Sequence, residues 1–186
     1  MILRLFRAHL FMLVFALSAI LGLTACGGGD DNTKYQPPAD ATVGAQVGNI
    51  APDFDLKNLE GGTLKLSSLR GKVVIIDFWD TWCPPCRRAL PVLQALADEY
   101  ADDLVVVGVA FGRDGEEKVR SYVKENNLTF PMVLTDPQFQ VVQDFGNFQG
   151  IPTTFLVDRR GIIVKQWSGG HTRAEYEAAV KEVLGR

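Results

Sequence analysis

The chain has 186 residues, of which 47% are hydrophobic and 22% charged, and its formal net charge is −3. This composition is typical of one globular domain with some additional sequence, and it excludes a disordered chain. The slight acidic excess leaves no basic surface of the kind that nucleic-acid binding requires, so we expect no nucleic-acid partner.

The first 26 residues have the pattern of a secretory signal peptide. Arg4 and Arg7 precede an apolar run from Leu10 to Leu23. This run is shorter than the about 20 apolar residues of a membrane-spanning helix, although an uncleaved signal anchor stays an alternative. The ending Leu23-Thr24-Ala25-Cys26 resembles the bacterial lipobox. The resemblance implies that residues 1–25 are removed and that lipidated Cys26 anchors a periplasmic protein to a membrane.

Residues 26–48 are predicted to form a flexible linker, because they are rich in glycine and contain few large apolar side chains. The folded domain is then predicted over residues 49–186. Apart from Cys26, the cysteines are the close pair in Cys83-Pro84-Pro85-Cys86. A structural disulfide framework normally has more cysteines at wider spacing, so this pair indicates redox chemistry. An inert structural disulfide stays open.

The predicted elements of the domain alternate between strands and helices. Alternating apolar residues on both sides of Glu60-Gly61-Gly62 predict a β-hairpin. The strands that follow are predicted at Val73–Trp79, Leu104–Ala110, Met132–Leu134, Thr153–Val157 and Ile162–Trp167, and the helices at Pro84–Tyr100 (with a kink at Pro91), Glu116–Asn126, Gln138–Phe145 and Arg173–Leu184. This order predicts an α/β domain whose mixed sheet is parallel inside and antiparallel toward one edge.

The cysteine pair follows a buried strand and opens a helix. A helix N-terminus presents unpaired N–H groups and a partial positive charge, which stabilise a thiolate and lower its pKa. We therefore expect Cys83 to be the exposed attacking sulfur and Cys86 to resolve the mixed disulfide. A zinc site needs four ligands and haem attachment needs a histidine where Arg87 stands, so we expect no metal or organic cofactor.

The segment Phe78-Trp79-Asp80-Thr81-Trp82-Cys83-Pro84-Pro85-Cys86 resembles the active site of the TlpA/ResA-like branch of the thioredoxin superfamily, with its redoxin or AhpC/TSA-like domain. Four further motifs agree in order: Ala51-Pro52-Asp53-Phe54, Leu66-Ser67-Ser68-Leu69-Arg70-Gly71-Lys72, Phe130-Pro131 with Asp136, and Gly150-Ile151-Pro152-Thr153-Thr154-Phe155-Leu156-Val157-Asp158. The resemblance implies a thioredoxin fold with an N-terminal hairpin and an inserted α/β segment. It also implies a reductase of protein disulfides, recharged by a membrane thiol donor and serving cytochrome c maturation.

The same resemblance assigns roles to individual residues. It implies that Ile151-Pro152 is a cis peptide bond that faces the disulfide and pairs with an incoming substrate strand. Trp82 is expected to cover the disulfide and to form part of the docking surface, with plain packing as the alternative. In thioredoxins an Asp at the position of Asp77 helps to move the proton of the buried cysteine. Burial inside an apolar strand should also raise the pKa of Asp77.

Five positions depart from the family or carry no assigned role. Many TlpA/ResA-like proteins have Asn at position 77 and Glu at the position of Ala89. Asp80 stands where Ala is common, and we expect it to be a solvent-facing charge. Lys72 either pairs with Asp77 or lies on the surface. His171 is expected to be an ordinary loop residue.

Two other functions stay open. A peroxiredoxin would have the related fold, but its active-site pattern requires Pro where Phe78 stands. A copper chaperone could use the two thiolates and His171, although such proteins space their cysteines one residue wider.

Overall fold

The computed structural model describes residues 34–186, so Cys26 and the signal peptide predicted over residues 1–25 lie outside the described part. The strands are β1 (Asp55–Lys57), β2 (Thr63–Lys65), β3 (Val73–Trp79), β4 (Leu104–Ala110), β5 (Met132–Leu134), β6 (Thr153–Val157) and β7 (Ile163–Ser168). The helices are α1 (Pro84–Glu99), α2 (Glu116–Glu125), α3 (Gln140–Asp144) and α4 (Arg173–Leu184), with a short 3-10 helix at Leu66–Leu69. The predicted order of elements is confirmed.

A five-stranded sheet in the order β5-β4-β3-β6-β7 forms the centre of the domain. β3 pairs in parallel with β4 and β4 in parallel with β5, whereas β6 pairs antiparallel with both β3 and β7. The predicted mixed sheet is therefore confirmed. β3 lies at its middle, and all seven of its residues are buried. Burial on both faces explains why β3 is a continuous apolar run rather than an alternating one.

Successive residues of β3 face two different hydrophobic clusters, as the pleat of a strand requires. Val73, Ile75 and Trp79 pack in a cluster that also contains Cys83, Cys86 and residues of α1 and α4. Val74, Ile76 and Phe78 pack on the opposite face with aromatic residues that include Phe145 and Phe155. The site below lies where β3 ends and α1 begins.

The local sequence explains where α1 and α4 begin. Pro84 and Pro85 occupy the first turn of α1, where a missing N–H breaks no hydrogen bond. The helix then continues through Pro91 to Glu99. At α4, Thr172 and Glu175 form a reciprocal capping box.

The segment of the chain that precedes β3 also contacts both edge strands of the sheet, β5 and β7. The Leu59 N–H donates to the Met132 carbonyl of β5 at 3.0 Å. At the opposite edge, the Gly48 N–H donates to the Ile163 carbonyl at 2.8 Å, and the Ile163 N–H donates to the Asn49 carbonyl at 2.9 Å. Gly48, the last residue of the predicted linker, therefore contacts the domain in this structure.

Candidate active site

A disulfide joins Cys83 and Cys86 at the N-terminus of α1. Cys83 is the N-cap residue, and its sulfur accepts the Cys86 N–H at 3.2 Å. Because Pro84 and Pro85 have no N–H, this is the first backbone donor of the helix, and it points at Cys83. Cys83 is only 2% exposed and Cys86 is fully buried. The expectation of an exposed Cys83 is thus wrong for the disulfide form, because neighbouring loops pack over the cap.

One of these loops contains Ile151 and Pro152. Their peptide bond is cis, which confirms the prediction. The carbonyl oxygen of Ile151 lies 3.5 Å from the Cys83 sulfur. β6 begins directly after this loop and pairs with β3, so the sheet itself holds the loop against the start of α1. The loop is therefore in direct contact with the disulfide.

Asp77 is fully buried near the carboxyl end of β3. The Thr154 hydroxyl donates to one of its carboxylate oxygens at 2.7 Å, and the Tyr176 hydroxyl lies 3.3 Å from the Thr154 hydroxyl. The other carboxylate oxygen has no hydrogen-bond partner among the residues that the structure describes. Burial raises the pKa of Asp77 to about 7, although the Thr154 hydrogen bond opposes this. Asp77 can therefore take up or release a proton near neutral pH.

The position of Asp77 in β3 relates it to the cysteines. In a strand, residues two apart share a face, so Asp77 lies on the same face as Ile75 and Trp79. That face packs in the cluster that contains Cys83 and Cys86. Thr154 and Tyr176, which complete the buried polar network, were missed by sequence reasoning. A threonine inside the apolar strand β6 was the available signal for Thr154.

Asp80 is fully buried, so the expectation of a solvent-facing charge is wrong. Its carboxylate accepts the Thr81 N–H at 2.7 Å and the indole N–H of Trp82 at 2.9 Å. It also accepts the backbone N–H of Arg113 at 3.2 Å. These donors compensate the cost of burying a carboxylate. The Arg113 contact comes from the loop after β4, 33 residues away in sequence, which explains why the local pattern did not indicate it.

Trp82 borders a groove beside the disulfide. Its side chain is 48% exposed, and the Arg113 guanidinium lies 5.6 Å from its ring centroid. The groove has a volume of about 420 Å³. It is lined by Trp82, Phe111, Arg113, Phe139, Val142, Asn147, Phe148, Gln149, Gly150 and Ile151. Ile151 thus belongs both to the groove wall and to the contact with Cys83. Six of its ten lining residues are apolar and four of these are aromatic, as expected of a surface that receives apolar side chains.

The family model of the AhpC/TSA family matches residues 47–166, more than half of the chain. The chain belongs to this family. Thioredoxin-like protein YneN of Bacillus subtilis is 39% identical over 145 residues, which are 77% of this chain and 84% of the relative. Thiol-disulfide oxidoreductase ResA of Halalkalibacterium halodurans is 36% identical over 133 residues, 72% of this chain and 74% of the relative.

Solved structures agree with these relatives. The thiol:disulfide interchange protein DsbE from Chlorobium tepidum superposes with a TM-score of 0.66 at 33% identity, covering 75% of this chain and 96% of that one. The exposed lipoprotein thioredoxin Etrx1 of Streptococcus pneumoniae superposes with a TM-score of 0.60 at 30% identity, covering 70% and 99%. The thioredoxin fold and the ResA-like relationship are therefore confirmed, and the chain is a thiol–disulfide oxidoreductase.

Other candidate residues of the oxidoreductase lie outside the groove. The Lys72 ammonium donates to the backbone carbonyl of Asp102, so the considered pairing with Asp77 is not formed. His171 lies 3.3 Å from the Glu175 carboxylate, and its ring packs near Trp167 and Tyr176. A second cavity, of about 430 Å³, is lined by Pro85, Arg88, Ala89, Gly170, His171, Thr172 and Glu175.

No group of three or more His, Cys, Asp or Glu side chains in residues 34–186 of the oxidoreductase is arranged to hold a metal ion. None of the described helices combines the length and the apolar character needed to cross a bilayer.

Proposed function

We propose that this oxidoreductase reduces disulfides of exported proteins outside the cytoplasm, and that it needs no cofactor beyond its own cysteine pair. The single observation that carries the proposal is the contact between Cys83 and the Ile151 carbonyl at the end of the aromatic groove. A substrate segment in this groove would bring its disulfide to the sulfur that the helix N-terminus activates.

The reaction consists of two successive thiol–disulfide exchanges. The Cys83 thiolate attacks one sulfur of the substrate disulfide, the substrate S–S bond breaks, and the other substrate sulfur leaves as a thiolate that is then protonated. Cys86 then loses its proton and attacks the Cys83 sulfur. This step releases the second substrate thiol and forms the Cys83–Cys86 disulfide. The substrate gains two electrons and two protons, which the cysteine pair has lost.

The two cysteines are activated differently in this proposal. The Cys83 sulfur accepts the Cys86 N–H, so the negative charge of its thiolate is stabilised at the helix cap. Cys86 is fully buried, and burial disfavours its thiolate. A nearby base is therefore needed for the second step. Asp77 fits this role because its pKa of about 7 lets it accept a proton at neutral pH.

The cellular setting rests on the N-terminal sequence and on the relatives. The lipobox-like segment that ends at Cys26 favours a lipoprotein, and the pneumococcal structural relative is an exposed lipoprotein. We propose a periplasmic enzyme anchored to a membrane through Cys26. A membrane thiol donor would reduce its disulfide after each turnover. Its resemblance to ResA-like proteins favours a role in cytochrome c maturation.

Trapping of substrates tests the proposal most directly. A Cys86→Ser variant lacks the resolving thiol, so we expect it to accumulate mixed disulfides with exported proteins through Cys83. The matched control is the double variant Cys83→Ser, Cys86→Ser, which should trap nothing. Adducts that are equally abundant in the control would contradict the proposal, because they could not pass through Cys83.

Assays on one purified sample compare the alternative functions. We expect rapid reduction of the insulin disulfides by the wild-type protein with a dithiol as electron source. Turnover of peroxide without insulin reduction would favour the peroxiredoxin alternative. Tight, stoichiometric binding of Cu(I) without insulin reduction would favour the copper chaperone.

A further inference from the structure

Asp80 holds together two parts of the active-site surface. One of its carboxylate oxygens accepts the Thr81 N–H, and the other accepts both the Trp82 indole N–H and the Arg113 backbone N–H. A single buried side chain thus connects the turn that precedes Cys83 with the loop that follows β4. An Ala at this position could form none of these hydrogen bonds.

These hydrogen bonds determine where Trp82 lies. Its ring is half-exposed, and its indole N–H donates to the buried Asp80 carboxylate, so this charge-assisted hydrogen bond restrains its orientation. The Arg113 guanidinium lies over the ring, 5.6 Å from the Trp82 ring centroid and 5.9 Å from that of Phe111. Asp80 thus accepts the indole N–H of Trp82 itself, and it also accepts the backbone N–H of Arg113, whose guanidinium lies over the ring.

Trp82, Phe111 and Arg113 line the groove together with residues 147–151. The Trp82 and Phe139 side chains are its exposed hydrophobic surfaces, at 48% and 38% exposure. A side chain that enters the groove would contact the Trp82 ring only while the ring keeps its present orientation.

We propose that Asp80 is a positioning residue that orients Trp82 to receive an apolar side chain of the substrate, next to the substrate's disulfide. This inference rests on the proposed function. Asp80 does not touch the reacting sulfurs. It acts through Trp82, and so it contributes to substrate recognition rather than to the exchange of sulfur partners.

Three disulfide probes separate recognition from chemistry. The first is a disulfide peptide with Phe beside its cysteine, the second is the same peptide with Gly there, and the third is hydroxyethyl disulfide. The wild type should prefer the Phe peptide through a lower KM. Asp80→Ala should raise the KM for the Phe peptide about tenfold, because only the hydrogen bond to the Trp82 indole bears directly on the ring, and the loss of one hydrogen bond to a charged group has about this effect. The kcat values and the rate with hydroxyethyl disulfide should stay within about twofold, since neither depends on that hydrogen bond.

Two further variants establish that Asp80 acts through the indole. Trp82→Phe keeps an aromatic ring but lacks the N–H donor. In this background Asp80→Ala should change KM by less than about twofold, because coupled residues are not additive. Asp80→Asn keeps one acceptor oxygen and should give an intermediate KM. Asp102→Asn, an exposed carboxylate at the far end of the domain, is the control for loss of charge and should behave as the wild type.

A spectroscopic measurement tests the orientation of Trp82 without any turnover. Of the three tryptophans, Trp82 is 48% exposed, whereas Trp79 and Trp167 are 0% and 6% exposed. Quenching of tryptophan fluorescence by acrylamide therefore reports mainly on Trp82. Asp80→Ala should increase quenching with native circular dichroism retained, and Asp102→Asn should not.

Equal loss of rate with all three probes would overturn the inference, because it would indicate general damage to the site. An undiminished effect of Asp80→Ala in the Trp82→Phe background would overturn it as well. A wild-type protein that reduces none of the probes would refute the proposed function instead, and the quenching result would then still decide whether Asp80 orients Trp82.

Discussion

Replacing Asp77 with Asn should stabilise the folded enzyme by an amount that depends on pH. Burial raises the pKa of Asp77 from 3.8 to about 7. A difference of this size between the folded and the unfolded chain corresponds to about 4 kcal/mol. Asn is neutral and similar in shape, so the variant avoids the cost of ionising a buried carboxylate.

The direction of the pH dependence follows from where the proton is held. Between about pH 4 and about pH 7 the folded chain keeps the Asp77 proton, whereas the unfolded chain has released it. The contribution of Asp77 to the free energy of unfolding therefore falls as pH rises through this range and is constant above it. The two proteins should be about equally stable near pH 4, and near pH 9 Asp77→Asn should be more stable by up to about 4 kcal/mol.

Urea unfolding of both oxidised proteins at several pH values measures this difference. Subtracting the two curves removes the contributions of all other titrating groups that the substitution leaves unchanged. Asp102→Asn serves as the control, because its carboxylate is exposed and its curve should parallel the wild type. A stability difference that is the same at every pH would refute the reasoning, since it would mean that Asp77 does not titrate between the two pKa values.

The same substitution should slow one step of catalysis. Without Asp77 as proton acceptor, we expect the attack of Cys86 on the mixed disulfide to slow by about tenfold to about a thousandfold. This span overlaps the usual range of general-base effects and extends slightly below it. The first attack by Cys83 should change far less. Adding Ala89→Glu should restore part of the rate. Stopped-flow kinetics can measure the two steps separately. If Asp77→Asn resolves the mixed disulfide at the wild-type rate from about pH 6 to about pH 9, Asp77 has a structural role and water accepts the proton.

Three other predictions concern different parts of the chain. The Cys83–Cys86 couple should equilibrate in glutathione or dithiothreitol buffers at between about −270 and about −120 mV, because the missing Pro84 N–H and the helix N-terminus act in opposite directions. A value outside that range would contradict this balance. Mass spectrometry of the exported protein should find a lipid-modified Cys26 at the N-terminus, and an unmodified Cys26 would exclude the anchor. Thr172→Ala removes the cap of α4 and should lower the free energy of unfolding by about 1 kcal/mol in urea titrations, whereas an unchanged midpoint would show that the cap contributes nothing.

The sequence predicts the strands and helices well where the pattern is local and strong. β3 and β4 have the predicted bounds because uninterrupted apolar runs leave few alternatives. The helix predicted from Gln138 is shorter, since Asp136 accepts the N–H groups of Gln138 and Gln140 and the helix begins only at Gln140. A turn of this kind depends on side-chain capping, which periodicity does not indicate.

The site is predicted less completely than the fold. The cysteine pair, the cis bond at Pro152 and the raised pKa of Asp77 follow from motif and burial. The burial of Asp80 could not be predicted, because it depends on an N–H from a loop that is distant in sequence. The same holds for the low exposure of Cys83, which results from the packing of separate loops over the cap.

The contacts of the early chain with β5 and β7 cover part of both edges of the central sheet. Partly unfolded polypeptides offer extended chain, which readily adds to an open sheet edge and aggregates. Here Leu59 pairs with part of β5, and Gly48 and Asn49 pair with the start of β7. Those backbone groups are withheld from strand addition. Loosening residues 48–59 would therefore expose a template for coaggregation, even though every residue of the redox site stayed in place.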